Sequence, residues 1–111
     1  MEQNLEIVMS LIMNAGNSKS YSMEAIKAAK DNDFPLAQEK LKEAENSINA
    51  AHNAQTSLLT KEASGEKTEL SMLLIHGQDH LMNAITFLDI AKEFVDLYEK
   101  INGDAKNSKV I

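Results

Sequence analysis

The 111-residue sequence predicts an all-α fold, a single antiparallel up-down-up bundle of three long helices. Three observations predict it. One proline, four glycines and few aromatic residues stand beside abundant Ala, Leu, Lys, Glu and Met, which favours helix nearly everywhere and leaves no strand to expect. Apolar residues recur at steps of three and four in three separate stretches. Short polar breaks divide those stretches, and short connections between long helices make consecutive helices antiparallel neighbours.

The first helix carries Leu5, Val8, Ile12, Ala15, Ser22, Ile26 and Ala29 at helical spacing and ends in the turn-forming cluster Asp31-Asn32-Asp33. Its centre, Gly16 to Ser20, forms helix weakly, so a kink or a close helix contact is expected near Gly16. The second helix opens at Asp33-Phe34-Pro35. There Asp caps exposed N–H groups, and Pro is tolerated because it has none to satisfy. Its stripe is Ala37, Leu41, Ala44, Ile48, Ala51, Gln55 and Leu58, with Gln55 the one polar intruder. After the break Ala63 to Lys67, Thr68 is the expected N-cap of a third helix that runs to about Ile101 and stops at Gly103. Residues 1–103 thus form the domain, and 104–111 a flexible polar tail.

The third helix carries more apolar surface than one bundle needs. Leu74, Leu81, Ala84, Leu88, Ala91, Val95 and Tyr98 form a stripe sufficient for two partner helices. Beside it lie Leu73, His76, His80, Phe87, Ile90, Phe94, Leu97 and Ile101, and then Met72, Ile75, Asp79 and Met82. A helix apolar on so many sides is central in a larger bundle or buried against another chain, which predicts self-association.

Composition narrows the function. With no cysteine, disulfides, thiolate metal sites and thiol nucleophiles are excluded. A net charge of -6 argues against nucleic acid or an anionic membrane as partner and favours proteins. No apolar run approaches the ~20 residues of a membrane span, and Met1-Glu2-Gln3-Asn4 lacks a secretory signal's basic region; a soluble, cytoplasmic protein without membrane insertion is expected.

The chemistry concentrates in His76-Gly77-Gln78-Asp79-His80. On a helix, His76, Asp79 and His80 fall within an arc of roughly 100°, among apolar neighbours where burial is expected. A buried carboxylate at Asp79 requires a cation, a donor or a shared proton. Neutral imidazole can accept a phosphoryl group on one ring nitrogen when the other is held and the product is shielded from water. Gly77 would let a partner's backbone come close. A zinc hydrolase reading fails, because the inverted zinc motif needs Glu where Asp79 stands, and a third ligand besides. A two-component phosphotransfer domain usually places Lys three residues after its histidine, where this chain has Asp79. A non-catalytic interaction module, with the His/Asp cluster purely structural, is the alternative.

Four segments carry a family resemblance: Asn14 to Ser20, Ala51 to Thr56, Glu62 to Glu66 and His76 to Asn83. Together they resemble the recurring blocks of the lactose/cellobiose-specific enzyme IIA proteins of the bacterial phosphoenolpyruvate-dependent sugar phosphotransferase system, over about residues 3–101. The resemblance implies a phosphotransferase component that accepts a phosphoryl group from HPr on His76 and passes it to enzyme IIB during uptake of a disaccharide (cellobiose, chitobiose or lactose). It further implies a homotrimer, a nine-helix bundle, with one Mg2+ per trimer held on the threefold axis by Asp79 of each subunit. Three carboxylates around a hard divalent cation would answer Asp79's need for compensation. His80 is assigned to positioning or phosphate contact near His76, with a structural role as the alternative. His52 reads as part of a polar layer, Gln78 as a contact to a neighbouring subunit or HPr, and Met72 and Met82 as core and interface filler or as an adaptable partner surface.

Overall fold

The chain folds into α1 (Glu2–Lys30), α2 (Phe34–Ala63) and α3 (Met72–Val110), an up-down-up bundle about 67 Å long and 19 Å across. This computed structural model describes the backbone of residues 2–110 and the side chains of 4–103, and no strand occurs among them.

Both helix breaks are closed by local backbone chemistry. At the end of α1, Asn32 takes a left-handed φ of 63°, which Asn tolerates better than most residues. Its N–H then donates to Ala29 O, and that of Asp33 to Ala28 O at 2.9 Å. Asp33 next caps α2, its Oδ1 accepting from Leu36 N at 3.2 Å, with Pro35 in the first turn. At the end of α2, Gly65 supplies a φ of 96°, and the N–H groups of Gly65 and Glu66 reach back to Glu62 O and Lys61 O.

Two boundaries of α3 differ from expectation. The cap is Ser71 rather than Thr68: its Oγ accepts from Leu74 N at 3.1 Å. Burial of Leu74 sets the register of the first turn, and Ser71 is the hydroxyl residue three positions before it. At the other end α3 continues through Gly103 to Val110. A lone Gly costs a helix only about 1 kcal/mol, and no proline follows to remove a hydrogen bond. The side chains of 104–111, where the flexible tail was expected, lie outside the described residues.

The core is the predicted seam on two helices and a rotated one on the third. On α2, Ala37, Leu41, Ala44, Ile48, Ala51 and Leu58 are buried, and on α3 so are Leu74, Leu81, Ala84, Leu88, Ala91 and Val95. On α1 the buried row is Val8, Leu11, Ala15, Ser18, Ser22, Ala25, Ala28 and Ala29. Leu5 is exposed, whereas Ile12 and Ile26 pack only at the margin. The reason is size: small residues let α1 lie close against the alanines of α2, and Ser18 Oγ donates to Ala44 O at 2.9 Å. The close helix contact expected at Gly16 occurs elsewhere. α1 is unbroken there and the space beside Gly16 is open, whereas a Cβ on Gly77 would meet Leu11 Cδ2 at 3.1 Å. Gly77 therefore serves the packing of α3 on α1.

The second and third stripes of α3 stay largely uncovered, although Leu73, His80 and Phe87 are half-buried. Met72, Ile75, Met82, Ile90, Phe94, Leu97 and Ile101 are exposed, as are Leu5, Met9, Met13 and Met23 on α1. No helix among the described residues is long and apolar enough to cross a membrane.

Candidate functional site

His76, Gly77, Gln78, Asp79 and His80 occupy the second and third turns of α3. At 100° per residue the successive side chains of this segment face different neighbours. His76 faces outward, Gly77 abuts Leu11 and Ile12 of α1, and Gln78 reaches α2. The imidazoles of His76 and His80 come together one turn apart, ring centroids 4.4 Å from each other and planes at 63°, edge to face. His80 is half-buried, whereas His76 is exposed.

Beside His76 lies a shallow depression lined by Met72, Leu73, Ile75, His76 and Asp79. Its walls are mostly apolar, and its two polar members are an imidazole and a carboxylate. Asp79 Oδ2 accepts from Asn83 Nδ2 at 3.2 Å. The sequence places the motif's titratable groups where burial is expected. Within one protomer, however, His76 and Asp79 are exposed, because the apolar residues around them are those that the bundle leaves uncovered. Solvent therefore meets the demands of the Asp79 carboxylate in the isolated chain.

Among the described residues no three His, Cys, Asp or Glu side chains converge to hold a metal ion. Of the described residues, Asp79 is the one carboxylate lining the depression beside His76.

Of the other residues singled out, Gln55 and Gln78 meet: Gln55 Nε2 donates to Gln78 Oε1 at 2.6 Å. This explains the polar intruder in the α2 seam, and it occupies Gln78 within its own chain. His52 lies exposed on α2. Asn83 is the site residue that motif reasoning passed over. The helical neighbour rule, which pairs i with i+4, would have found it.

The chain as a whole is similar to known proteins. Residues 6–99 match the profile of the lactose/cellobiose-specific IIA subunit of the PTS system. The lichenan-specific phosphotransferase enzyme IIA component of Bacillus subtilis (strain 168) is 48% identical over 100 residues, covering 90% of this chain and 91% of that protein. The crystal structure of the PTS cellobiose-specific enzyme IIA from Bacillus anthracis superposes with a TM-score of 0.89 at 50% identity, over 93% of this chain and 94% of that one. The IIA(chitobiose) subunit, solved in solution as a complex with HPr from the N,N'-diacetylchitobiose branch of the Escherichia coli phosphotransferase system, gives a TM-score of 0.74 at 33% identity, over 89% of this chain and 96% of that one. A profile spanning most of the chain, relatives of matching length and the same three-helix fold lead to one conclusion: the chain belongs to the lactose/cellobiose-specific IIA family of the phosphotransferase system, a phosphotransferase enzyme IIA component.

Proposed function

We propose that this protein is a histidine phosphocarrier for disaccharide uptake, receiving a phosphoryl group from HPr on His76 and delivering it to a cysteine of enzyme IIB. The observation that carries the reading is that His76 is exposed on the rim of an apolar depression, with the half-buried His80 ring packed against it. An acceptor that serves two protein partners must be reachable from outside, and His76 is. The similarity to a IIA subunit solved with HPr supports HPr as donor.

The transfer is an exchange of one N–P bond for another. The unprotonated nitrogen of His76 attacks phosphorus in line, the donor histidine's N–P bond breaks, and its electron pair returns to the donor ring. In the second half the thiolate of enzyme IIB attacks the same phosphorus and His76 leaves as neutral imidazole. Docking against the apolar rim excludes water, which protects the phosphohistidine from hydrolysis during each exchange. His80 holds the His76 ring edge-on and limits its rotation.

The exposed apolar faces of α1 and α3 support a homotrimer, a nine-helix bundle, with residues 1–103 as its unit and 104–111 as a tail. Asp79 from each protomer would then face a common axis. Three such carboxylates fit a magnesium ion, whose charge would offset their mutual repulsion. The protein acts in the cytoplasm on a cellobiose-, chitobiose- or lactose-type system.

Incubation with phosphoenolpyruvate, enzyme I and HPr tests the reading: about one acid-labile phosphate per protomer is expected, as a single nucleophile requires. Label persisting in His76→Ala would overturn the assignment. Sugar uptake undisturbed by that variant would instead favour a structural module.

A further inference from the structure

We propose that Gln55, acting through Gln78, is a positioning residue that sets the orientation of His76; the inference rests on His76 being the phosphoryl acceptor. Three successive residues of α3 face three different surroundings, and the middle one is glycine. Gly77 limits how closely α1 and α3 approach, but without a side chain it does little to resist rotation of the turn about the helix axis. Gln78, the next residue, carries a directional contact, the 2.6 Å hydrogen bond from Gln55. Elsewhere α2 reaches α3 through exposed polar pairs, Gln38 with Glu99 and Glu45 with Lys92, whose α3 members lie at least four turns from His76. The packing of α2 on α3 is sparse compared with that of α1 on either helix. At the level of the site, that amide pair is the directional contact between α2 and α3, beside the non-directional apolar packing of Leu58 and Leu74.

The location of Gln55 supports the same conclusion. It stands in the apolar seam of α2 between Ala51 and Leu58, half-buried, where an unpaired amide is costly and an apolar side chain would pack without penalty. What the amide adds over leucine is direction. An imidazole at the helix rim lies about 6 Å from the axis, so a rotation of about 10° moves it by about 1 Å. A displacement of that size costs an aligned transfer up to about a hundredfold.

The test uses the full chain with Gln55→Leu, Gln55→Met as a second apolar variant, and Gln55→Glu, whose carboxylate can accept from the Gln78 amide once that amide turns over. Transfer from phosphorylated HPr is followed in single turnovers across donor concentrations, and the ring C–H resonances of His76 and His80 are recorded without donor. Both apolar variants should fold and assemble normally, lose about tenfold or more in the rate at saturating donor, and keep the half-saturating concentration within about twofold. Their His76 resonances should shift, and Gln55→Glu should restore both rate and spectrum. A saturated rate unchanged in the apolar variants, or lost equally in Gln55→Glu, overturns the proposal. If the unmutated protein takes up no phosphate, the phosphocarrier reading fails by itself, and unmoved His76 resonances in Gln55→Leu and Gln55→Met would separately refute the positioning.

Discussion

Ser18 and Ser22 lie one turn apart on α1, both fully buried, yet their hydroxyls fare differently. Ser18 Oγ donates to Ala44 O across the α1–α2 contact, while Ser22 Oγ has no hydrogen-bond partner among the described residues. Replacing either by Ala removes one oxygen, leaves a void of about 20 Å3 costing about 0.5 kcal/mol, and gains about 0.5 kcal/mol of helix propensity. Those two contributions offset each other at both positions, so the hydroxyl's pairing decides the sign. Ser18→Ala loses a net hydrogen bond and should destabilise by about 1 kcal/mol. Ser22→Ala relieves an unsatisfied buried hydroxyl and should stabilise by about 1 kcal/mol or more. The two variants should therefore differ by at least about 2 kcal/mol, or about 8 °C in Tm for a chain of this size. Urea titrations at one fixed protomer concentration, comparing midpoints at unchanged slope, measure the difference. Equal midpoints, or a less stable Ser22→Ala, would refute the account of this interface.

Four further outcomes follow from the same structure. Gly77→Ala should lose about 1 kcal/mol, because crowding fully buried Leu11 costs about 1–3 kcal/mol and the helix regains only about 1, as thermal melts would reveal. Ser71→Ala should cost about 1 kcal/mol as the loss of a cap, whereas Thr68→Ala should stay within about 0.5 kcal/mol; a reversed order in urea titrations would return the start of α3 to Thr68. Phe94→Glu, on the uncovered face of α3, should leave the protomer helical by circular dichroism but shift native mass spectra toward the monomer. Asp79→Leu should keep or strengthen the proposed assembly, since it replaces an ion-demanding acid by an apolar residue, whereas native mass spectra showing the unmutated protein as a monomer would remove the axial role proposed for Asp79.

The sequence by itself determined the helices of α2 and α3 and their buried rows, because large aliphatic residues at steps of three and four leave little freedom in which face turns inward. The Asp33 cap and the break at Ala63 to Lys67 were equally legible, since capping and helix breaking are local chemistry. So was the excess apolar surface of α3, which the bundle does leave uncovered. Residue type and spacing alone single out His76 to His80 as a cluster of titratable side chains on one helix.

Other features required the tertiary structure. The buried row of α1 is mostly Ala and Ser, whose small side chains carry little hydrophobic signal; packing against α2 and α3 selected Leu11, Ser18 and Ala25 over Leu5, Ile12 and Ile26. The same geometry placed the tight contact at Gly77 instead of Gly16, a choice that depends on which helix lies opposite. It exposed His76 and Asp79 despite their apolar neighbours, because burial depends on what covers a face, and periodicity only says which residues share one. And it joined Gln55 to Gln78, 23 positions apart, a pairing that only the antiparallel register of α2 and α3 could bring about.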